Sequence, residues 1–169
     1  MDISDLAITI NNFEVTKIND ILSYLKSNVR FDLSDSYQDK ELFNSFNNAI
    51  INCIKLLRDP EYDIAGTPTP EILITEFQKI INEWGFPDKK FSIQILEENK
   101  NIIINSMNEI NCYLKSPKYF QYHPVDGFIM PIKDPERKLF NKMQNDTFKL
   151  RKIIINAHNQ MCEIISTII

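Results

Sequence analysis

The sequence predicts a mainly α protein, a bundle of four to five helices with a long C-terminal helix and a small β-hairpin near residues 119–132. Apolar residues recur at i, i+3, i+4 and i+7 in several segments, which places them on one face of a helix. Only 3 of the 169 residues are glycines, and they are far apart, which disfavours a glycine-rich sandwich or barrel. A chain of this length is expected to form a single helical domain, residues 1–169.

The N-terminal third contains two predicted helices. The first covers about residues 17–29, with Thr16 as its N-cap and its apolar residues on one face. The second runs from near Ser36 to about Arg58 and has the clearest amphipathic pattern of this part of the chain. Its apolar stripe consists of Leu42, Phe43, Phe46, Ala49, Ile50, Cys53, Ile54 and Leu57. Before both helices, the spacing over residues 6–10 allows either a strand or a helix.

A loop and a third helix follow. Residues 58–69 include one glycine and two prolines, which is typical of a loop. Thr69 is placed to cap the next helix, with Pro70 at its first position. The pattern predicts that this helix ends at Gly85, because glycine commonly follows the last residue of a helix.

The C-terminal half contains the longest predicted helix. A shorter helix over about residues 98–115 precedes it, and residues 91–96 form either a strand or the start of that helix. The final helix begins with Asp134 as its cap, Pro135 at its first position and Glu136 in its first turn. Its apolar residues hold a heptad pattern to the C-terminus: Phe140, Thr147, Ile154, Met161 and Ile168 at one position, and Met143, Leu150, Ala157 and Ile164 at the other.

Composition excludes several classes of function. The net charge of −4 disfavours general binding to nucleic acid or to an anionic membrane. The scattered glycines cannot form a Walker-type phosphate loop or a dinucleotide-binding turn. No stretch approaches 18 apolar residues, so no membrane contact is expected. The three cysteines are widely spaced, without a C-x-x-C motif or a visible secretory signal, which predicts reduced thiols and a cytoplasmic location, in a cell or an infected host.

No metal ion or other cofactor is expected from the spacing of the possible ligands. Neither His123 nor His158 has a carboxylate three or four residues before it, so the pattern fits neither di-iron bundles nor zinc proteases. Cys162 lies four residues after His158 on one helix, and a Cys–His dyad is therefore an alternative. We favour a thiol at the edge of the core, because the sequence shows no cationic niche around Cys162.

One pair of residues on the final helix could carry out a chemical reaction. Arg151 and His158 are seven residues apart, so they share the flank of the final helix that also carries Arg137 and Gln144. An arginine can bind a phosphodiester while a histidine transfers a proton, the combination that RNA cleavage uses. Residues 133–152 hold seven cations and three anions, so the pair belongs to a basic segment of an acidic chain.

The segment that carries this pair, LRKIIINAHNQ, resembles the HEPN superfamily of ribonucleases and RNA-binding domains. Those proteins are all-α bundles in which a late helix carries an arginine and a histidine with four to six residues between them. The resemblance implies that Arg151 and His158 form a catalytic pair, completed by a second protomer. It also implies that the reaction needs no metal ion.

The segment between the last two helices is the other candidate site. Tyr119, Phe120, Tyr122, His123 and Phe128 fall within ten positions, next to prolines and Gly127. Exposed aromatic residues of this kind are typical of binding hot spots, and the residues are candidates together with Arg137 and Gln144. The alternative is a hairpin whose rings are buried beneath the long helix.

Three functions are compatible with these observations. We expect a non-enzymatic bundle that binds another macromolecule, most simply a protein, as immunity proteins, antitoxins and phage or viral inhibitors do. The alternative is a HEPN-like ribonuclease or RNA-binding protein that acts as a dimer. A third is self-association through the C-terminal helix, whose apolar end includes Ile165, Ile168 and Ile169.

Overall fold

The computed structural model describes residues 33–65, 69–123, 128–131 and 138–168, and confirms a mainly α fold. Four helices pack together: α1 (Leu33–Arg58), α2 (Glu71–Trp84), α3 (Gln94–Lys115) and the long α4 (Lys138–Thr167). The predictions of a helix over 17–29, a strand or helix over 6–10 and a cap over 134–136 concern residues outside the described ranges. None of the helices in these ranges has the length and apolarity needed to cross a bilayer.

Three short strands form a small antiparallel sheet. They are β1 (Thr69–Pro70), β2 (Phe120–His123) and β3 (Phe128–Pro131), in the order β1–β3–β2. In the hairpin of β2 and β3, Phe120 pairs with Pro131 and His123 pairs with Phe128. This register confirms the hairpin that the sequence predicts near residues 119–132.

The start of α2 differs from the prediction. Thr69 and Pro70 do not begin the helix, because they pair with Ile129 and Phe128 as the edge strand β1. Proline lacks a backbone N–H and is therefore tolerated at the edge of a sheet as well as at the start of a helix. The helix itself begins at Glu71.

The other helix boundaries lie close to the predicted ones. α1 ends at Arg58 and begins three residues before Ser36. α3 begins at Gln94, so the ambiguous segment 91–96 forms no strand and its second half opens the helix. α4 has 30 residues, which is about 45 Å at 1.5 Å per residue.

The core is built from the predicted apolar faces. Phe46 of α1 is fully buried and packs against Trp84 of α2 and Phe91 at ring-centroid distances of 4.9 and 6.5 Å. Burial of a large apolar side chain stabilises a fold by about 1.5 to 3 kcal/mol, so this aromatic cluster is a major contribution. The heptad of α4 is also confirmed, with these members buried: Met143, Thr147, Leu150, Ile154, Ala157 and Met161.

Gly85 ends α2 because the backbone comes too close there for a side chain. Its N–H donates a hydrogen bond to the carbonyl oxygen of Ile81 at 3.0 Å. A Cβ atom at this position would lie 2.6 Å from the same oxygen, well inside van der Waals contact. The predicted role of Gly85 as a helix stop therefore has a steric cause.

Buried charges fasten the connection between α2 and α3. The carboxylate of Asp39 on α1, which is 2% exposed, accepts hydrogen bonds from the backbone N–H groups of Ser92 and Ile93 at 2.9 and 2.7 Å. Lys100, which is 1% exposed, forms an ion pair of 2.9 Å with Glu97 and donates to a backbone carbonyl of the connection at 2.6 Å. These contacts satisfy backbone groups that the turn into α3 would otherwise bury without partners.

We expect Asp39→Asn to lower the free energy of unfolding by about 1 to 2 kcal/mol, because an amide has one acceptor oxygen where two N–H groups need acceptors. Urea unfolding followed by circular dichroism measures this loss. Asp88→Asn is the control, since Asp88 is exposed in the same connection. Equal stability of the two variants would contradict the role of Asp39.

Candidate functional site

Arg151 of α4 holds the C-terminal end of α1. Its guanidinium donates hydrogen bonds to three backbone carbonyls, those of Leu57, Asp59 and Tyr62, the last at 2.6 Å. The last carbonyls of a helix have no partner within the helix, and a guanidinium carries five N–H donors in a rigid fork. Arg151 therefore caps α1 and fixes the path of the residues that follow it.

His158 lies about two helical turns after Arg151 on the same flank of α4 and is 3% exposed. Its Nδ1 atom is 3.3 Å from a guanidinium nitrogen of Arg58, and its Nε2 atom is 2.8 Å from the side-chain oxygen of Asn47. Arginine has only donors, so Nδ1 accepts from Arg58, and Nε2 carries the proton that it donates to Asn47. Burial, and secondarily the charge of Arg58, lowers the pKa of His158 below its ordinary value.

The predicted catalytic pair lies on one flank of α4, and both side chains are directed towards α1. A general base needs a nitrogen lone pair within reach of a substrate, or a proton to give to one. In His158 both ring nitrogens face protein groups, and in Arg151 the guanidinium binds backbone carbonyls. These contacts give no support to RNA cleavage, and the catalytic role of the pair stays a prediction.

Cys162 is close to His158 without the geometry of a reactive dyad. Its Sγ atom lies 3.9 Å from Nδ1 and 3.8 Å from Nε2, so it is aligned with neither ring nitrogen. Burial raises the pKa of the Cys162 thiol, and this effect exceeds the opposing influence of Arg58. A nucleophilic cysteine needs a lowered pKa, so these properties fit a thiol at the edge of the core.

Gln144, another residue of the flank, borders a half-open cavity of about 300 Å³ between α4 and the loop that follows α1. Gln144 donates a hydrogen bond of 2.7 Å to the carboxylate of Asp63 in this loop. Phe148, which is 51% exposed, lies at the cavity, with the ammonium group of Lys152 4.4 Å from the centre of its ring. Arg137, the first predicted member of the flank, lies outside the described residues.

The hairpin is anchored to the helices by two of the predicted aromatic residues. Phe120 is 4% exposed and belongs to the core. Tyr119 is half-buried and makes an edge-to-face contact with Tyr113 of α3 at 5.3 Å. The hydroxyl of Tyr113 in turn donates to the carboxylate of Asp146 on α4 at 2.9 Å. The expectation that these rings are buried thus holds for Phe120 and, in part, for Tyr119.

Tyr122 has a different environment on the same strand. Side chains two residues apart in a strand lie on the same face of the sheet, so Tyr122 shares a face with the buried Phe120. Tyr122 is nevertheless 54% exposed. The helices therefore cover one part of this sheet face and leave another part in contact with solvent. Of the other two hairpin candidates, His123 is half-buried, and Phe128 is described only by its backbone pairing.

The partners of the polar flank were not identified from the sequence. Asn47, Arg58 and Asp63 had no predicted role, and their contacts with α4 join residues 81 to 111 positions apart. The only available signal was the basic last turn of α1, which contains Arg58. Across the described ranges, no three His, Cys, Asp or Glu side chains are grouped closely enough to hold a metal ion.

Comparisons with known proteins returned no match among protein-family models, curated proteins or solved structures. The residues of the chain itself are therefore the basis for the functional argument.

We expect Arg151→Lys to lower the free energy of unfolding by about 2 kcal/mol, because an ammonium group cannot reach three carbonyls as the guanidinium fork does. Urea unfolding measures the change. Lys152→Ala is the matched control, since Lys152 is the exposed neighbour of Arg151 on the same helix. A loss no larger than that of the control would show that the carbonyl contacts contribute little.

We also expect stability to depend on the protonation of His158. In the unfolded chain its pKa is about 6.5, whereas burial and Arg58 lower the pKa in the folded protein. As the pH falls below the unfolded value, the unfolded chain binds more protons than the folded one, so folding becomes less favourable. Urea unfolding between neutral and mildly acidic pH measures this loss, and it should be smaller in His158→Gln, which cannot be protonated. Parallel pH profiles for the two proteins would contradict the prediction.

Proposed function

We propose that the protein works by binding another protein through the sheet face that carries Tyr122. The observation that supports this most directly is that more than half of an aromatic side chain is exposed on a face whose neighbouring residue is in the core. Large aromatic side chains that become buried on binding contribute much of the affinity of protein interfaces.

The hairpin presents Tyr122 on a rigid support. β3 is paired on both sides, and the buried Phe120 and the Tyr113–Tyr119 contact attach the hairpin to the bundle. A side chain on such a support loses little conformational freedom when it binds.

The geometry around α4 favours binding over catalysis. Arg151 and His158, the side chains best suited to a reaction, bind protein groups, and the thiol of Cys162 beside them has a raised pKa. Their contacts stabilise the junction of two helices, which is a structural role. An interaction protein needs no reacting group, so these contacts are compatible with the proposed function.

We expect Tyr122→Ala to weaken partner binding at least tenfold while leaving the melting temperature nearly unchanged, because the side chain is largely exposed. The immobilised protein is incubated with a native extract, one half of which has been treated with ribonuclease, and the polypeptides retained from each half are identified by mass spectrometry. The affinity of the purified partner for each variant is then measured by calorimetry. Tyr37→Ala is the matched control, since Tyr37 is 66% exposed and lies on α1.

Three outcomes of this experiment are informative. A polypeptide retained by the wild type and by Tyr37→Ala, and lost with Tyr122→Ala, supports the proposal. Equal retention by both variants contradicts it. Retention that depends on intact RNA contradicts it as well and favours the RNA-binding alternative. Phe120→Ala does not serve as a test, because removing a buried ring costs about 3 to 5 kcal/mol of stability.

A further inference from the structure

An apolar strip lies along the junction of α3 and α4, away from the polar flank. Three of its side chains are isoleucines with large exposed fractions: Ile95 (50%) and Ile102 (42%) on α3, and Ile153 (44%) on α4. Ile164 of α4 is half-buried against the core. We call these four residues the isoleucine strip.

The contact between Tyr113 and Asp146 fixes how the two helices are aligned. Only eight residues of α4 precede Asp146, so the rest of this 30-residue helix runs back along α3 towards its N-terminus. Ile95 precedes Tyr113 by 18 residues, and Ile164 follows Asp146 by 18, which is five helical turns in each case. The two isoleucines therefore lie at the same level along the junction. Ile95 lies on a line through Tyr113 parallel to the axis of α3, and Ile164 lies on a line through Asp146 parallel to the axis of α4.

The other two members follow the same lines. Ile102 lies seven residues after Ile95, and Ile153 lies seven residues after Asp146, so each keeps nearly the same face of its helix. Measured from the Tyr113–Asp146 contact at 1.5 Å per residue, Ile102 is about 16 Å and Ile153 about 10 Å along the junction. The four isoleucines are thus spaced along one edge that the two helices share.

Opposite charges lie on the two sides of the strip. Glu109 is one turn before Tyr113 on α3, and Lys149 is nearly one turn after Asp146 on α4. Both are exposed, and both lie on the outer side of the lines defined above. Among the described residues, neither forms a salt bridge within the protomer. At the level of this pair, the edge of α3 is therefore acidic and that of α4 is basic.

We propose that a second copy of this chain covers the isoleucine strip and forms a two-fold symmetric dimer. A symmetry axis parallel to the strip places α3 of one protomer opposite α4 of its partner and keeps residues at the same level. Glu109 then faces the partner's Lys149, and this ion pair occurs twice. A perpendicular axis in the interface would place α3 against α3 and would not place Glu109 opposite the partner's Lys149, so the charge pattern favours the first arrangement.

The proposal does not rest on the proposed function, because Tyr122 is not part of the strip. It gives the chain a defined oligomeric state, and it places the contact on the flank of α4 opposite to Arg151 and His158. A dimer of the HEPN type, in contrast, requires those two residues of both protomers to line one cleft.

Sedimentation velocity over a concentration series tests the dimer. We expect the wild type to dimerise reversibly and Ile102→Asp or Ile153→Asp to raise the dissociation constant at least tenfold. Phe86→Asp is the control, since Phe86 is 61% exposed and lies outside the strip. Higher salt should also weaken the dimer, because it screens the two ion pairs. A wild type that remains monomeric at every concentration overturns the proposal.

A charge exchange tests the arrangement with variants at exposed positions that should fold normally. Glu109→Lys and Lys149→Glu should each weaken the dimer, because each places two like charges face to face. The double variant restores both ion pairs with reversed polarity and should regain most of the wild-type affinity. A double variant that dimerises no better than the single variants overturns the arrangement of α3 against the partner's α4, as does a dimer unaffected by either single change.

Discussion

The position of α1 relative to α4 depends on how the C-terminal carbonyls of α1 are satisfied. A helix ends with carbonyl groups that lack a partner, and in a bundle water reaches only some of them. Arg151 supplies the donors for Leu57 and for two carbonyls of the loop, while Arg58 at the same helix end donates to His158. One end of α1 is thereby attached to α4 at two positions that lie about two turns apart, and Arg151 also holds the loop up to Tyr62.

The N-terminal part of α1 satisfies backbone N–H groups, whereas its C-terminal end presents carbonyls. There Asp39 accepts hydrogen bonds from the N–H groups that lead into α3, and the ion pair of Lys100 with Glu97 completes the same corner. Apolar burial supplies most of the stabilisation of such a bundle, but it is not directional and tolerates sliding of one helix along another. Hydrogen bonds from charged side chains to backbone groups would break if one helix slid along another. We therefore infer that these two corners set the register of the helices.

This division of roles explains what the sequence could predict. Helices, the heptad of α4 and the hairpin follow from periodicity, because periodicity reports which face is buried. The partners of Arg151 are backbone carbonyls, which carry no residue identity, and no sequence pattern points to them. Thr69 and Pro70 fit a helix start and an edge strand equally well, and only the position of β3 decides between the two. The prediction that polar residues line one flank of α4 was sound, whereas their partners depended on the tertiary fold.

The surfaces that we propose for binding are apolar, whereas the polar flank of α4 has a structural role. A flank at the edge of an apolar seam collects arginine and histidine both in an active site and at a helix junction, and only their partners distinguish the two. Here the partners are carbonyls of α1 and of the loop that follows it, and an amide of α1, so the groups with the most reactive chemistry stabilise the fold. Two groups of the large apolar side chains that stay exposed have separate origins. Tyr122 lies on the exposed part of a sheet face that buries Phe120 elsewhere, and the isoleucine strip lies at the outer edge of the junction of α3 and α4. Two independent causes of exposure favour two contact surfaces, one for a different protein and one for a second copy of the chain.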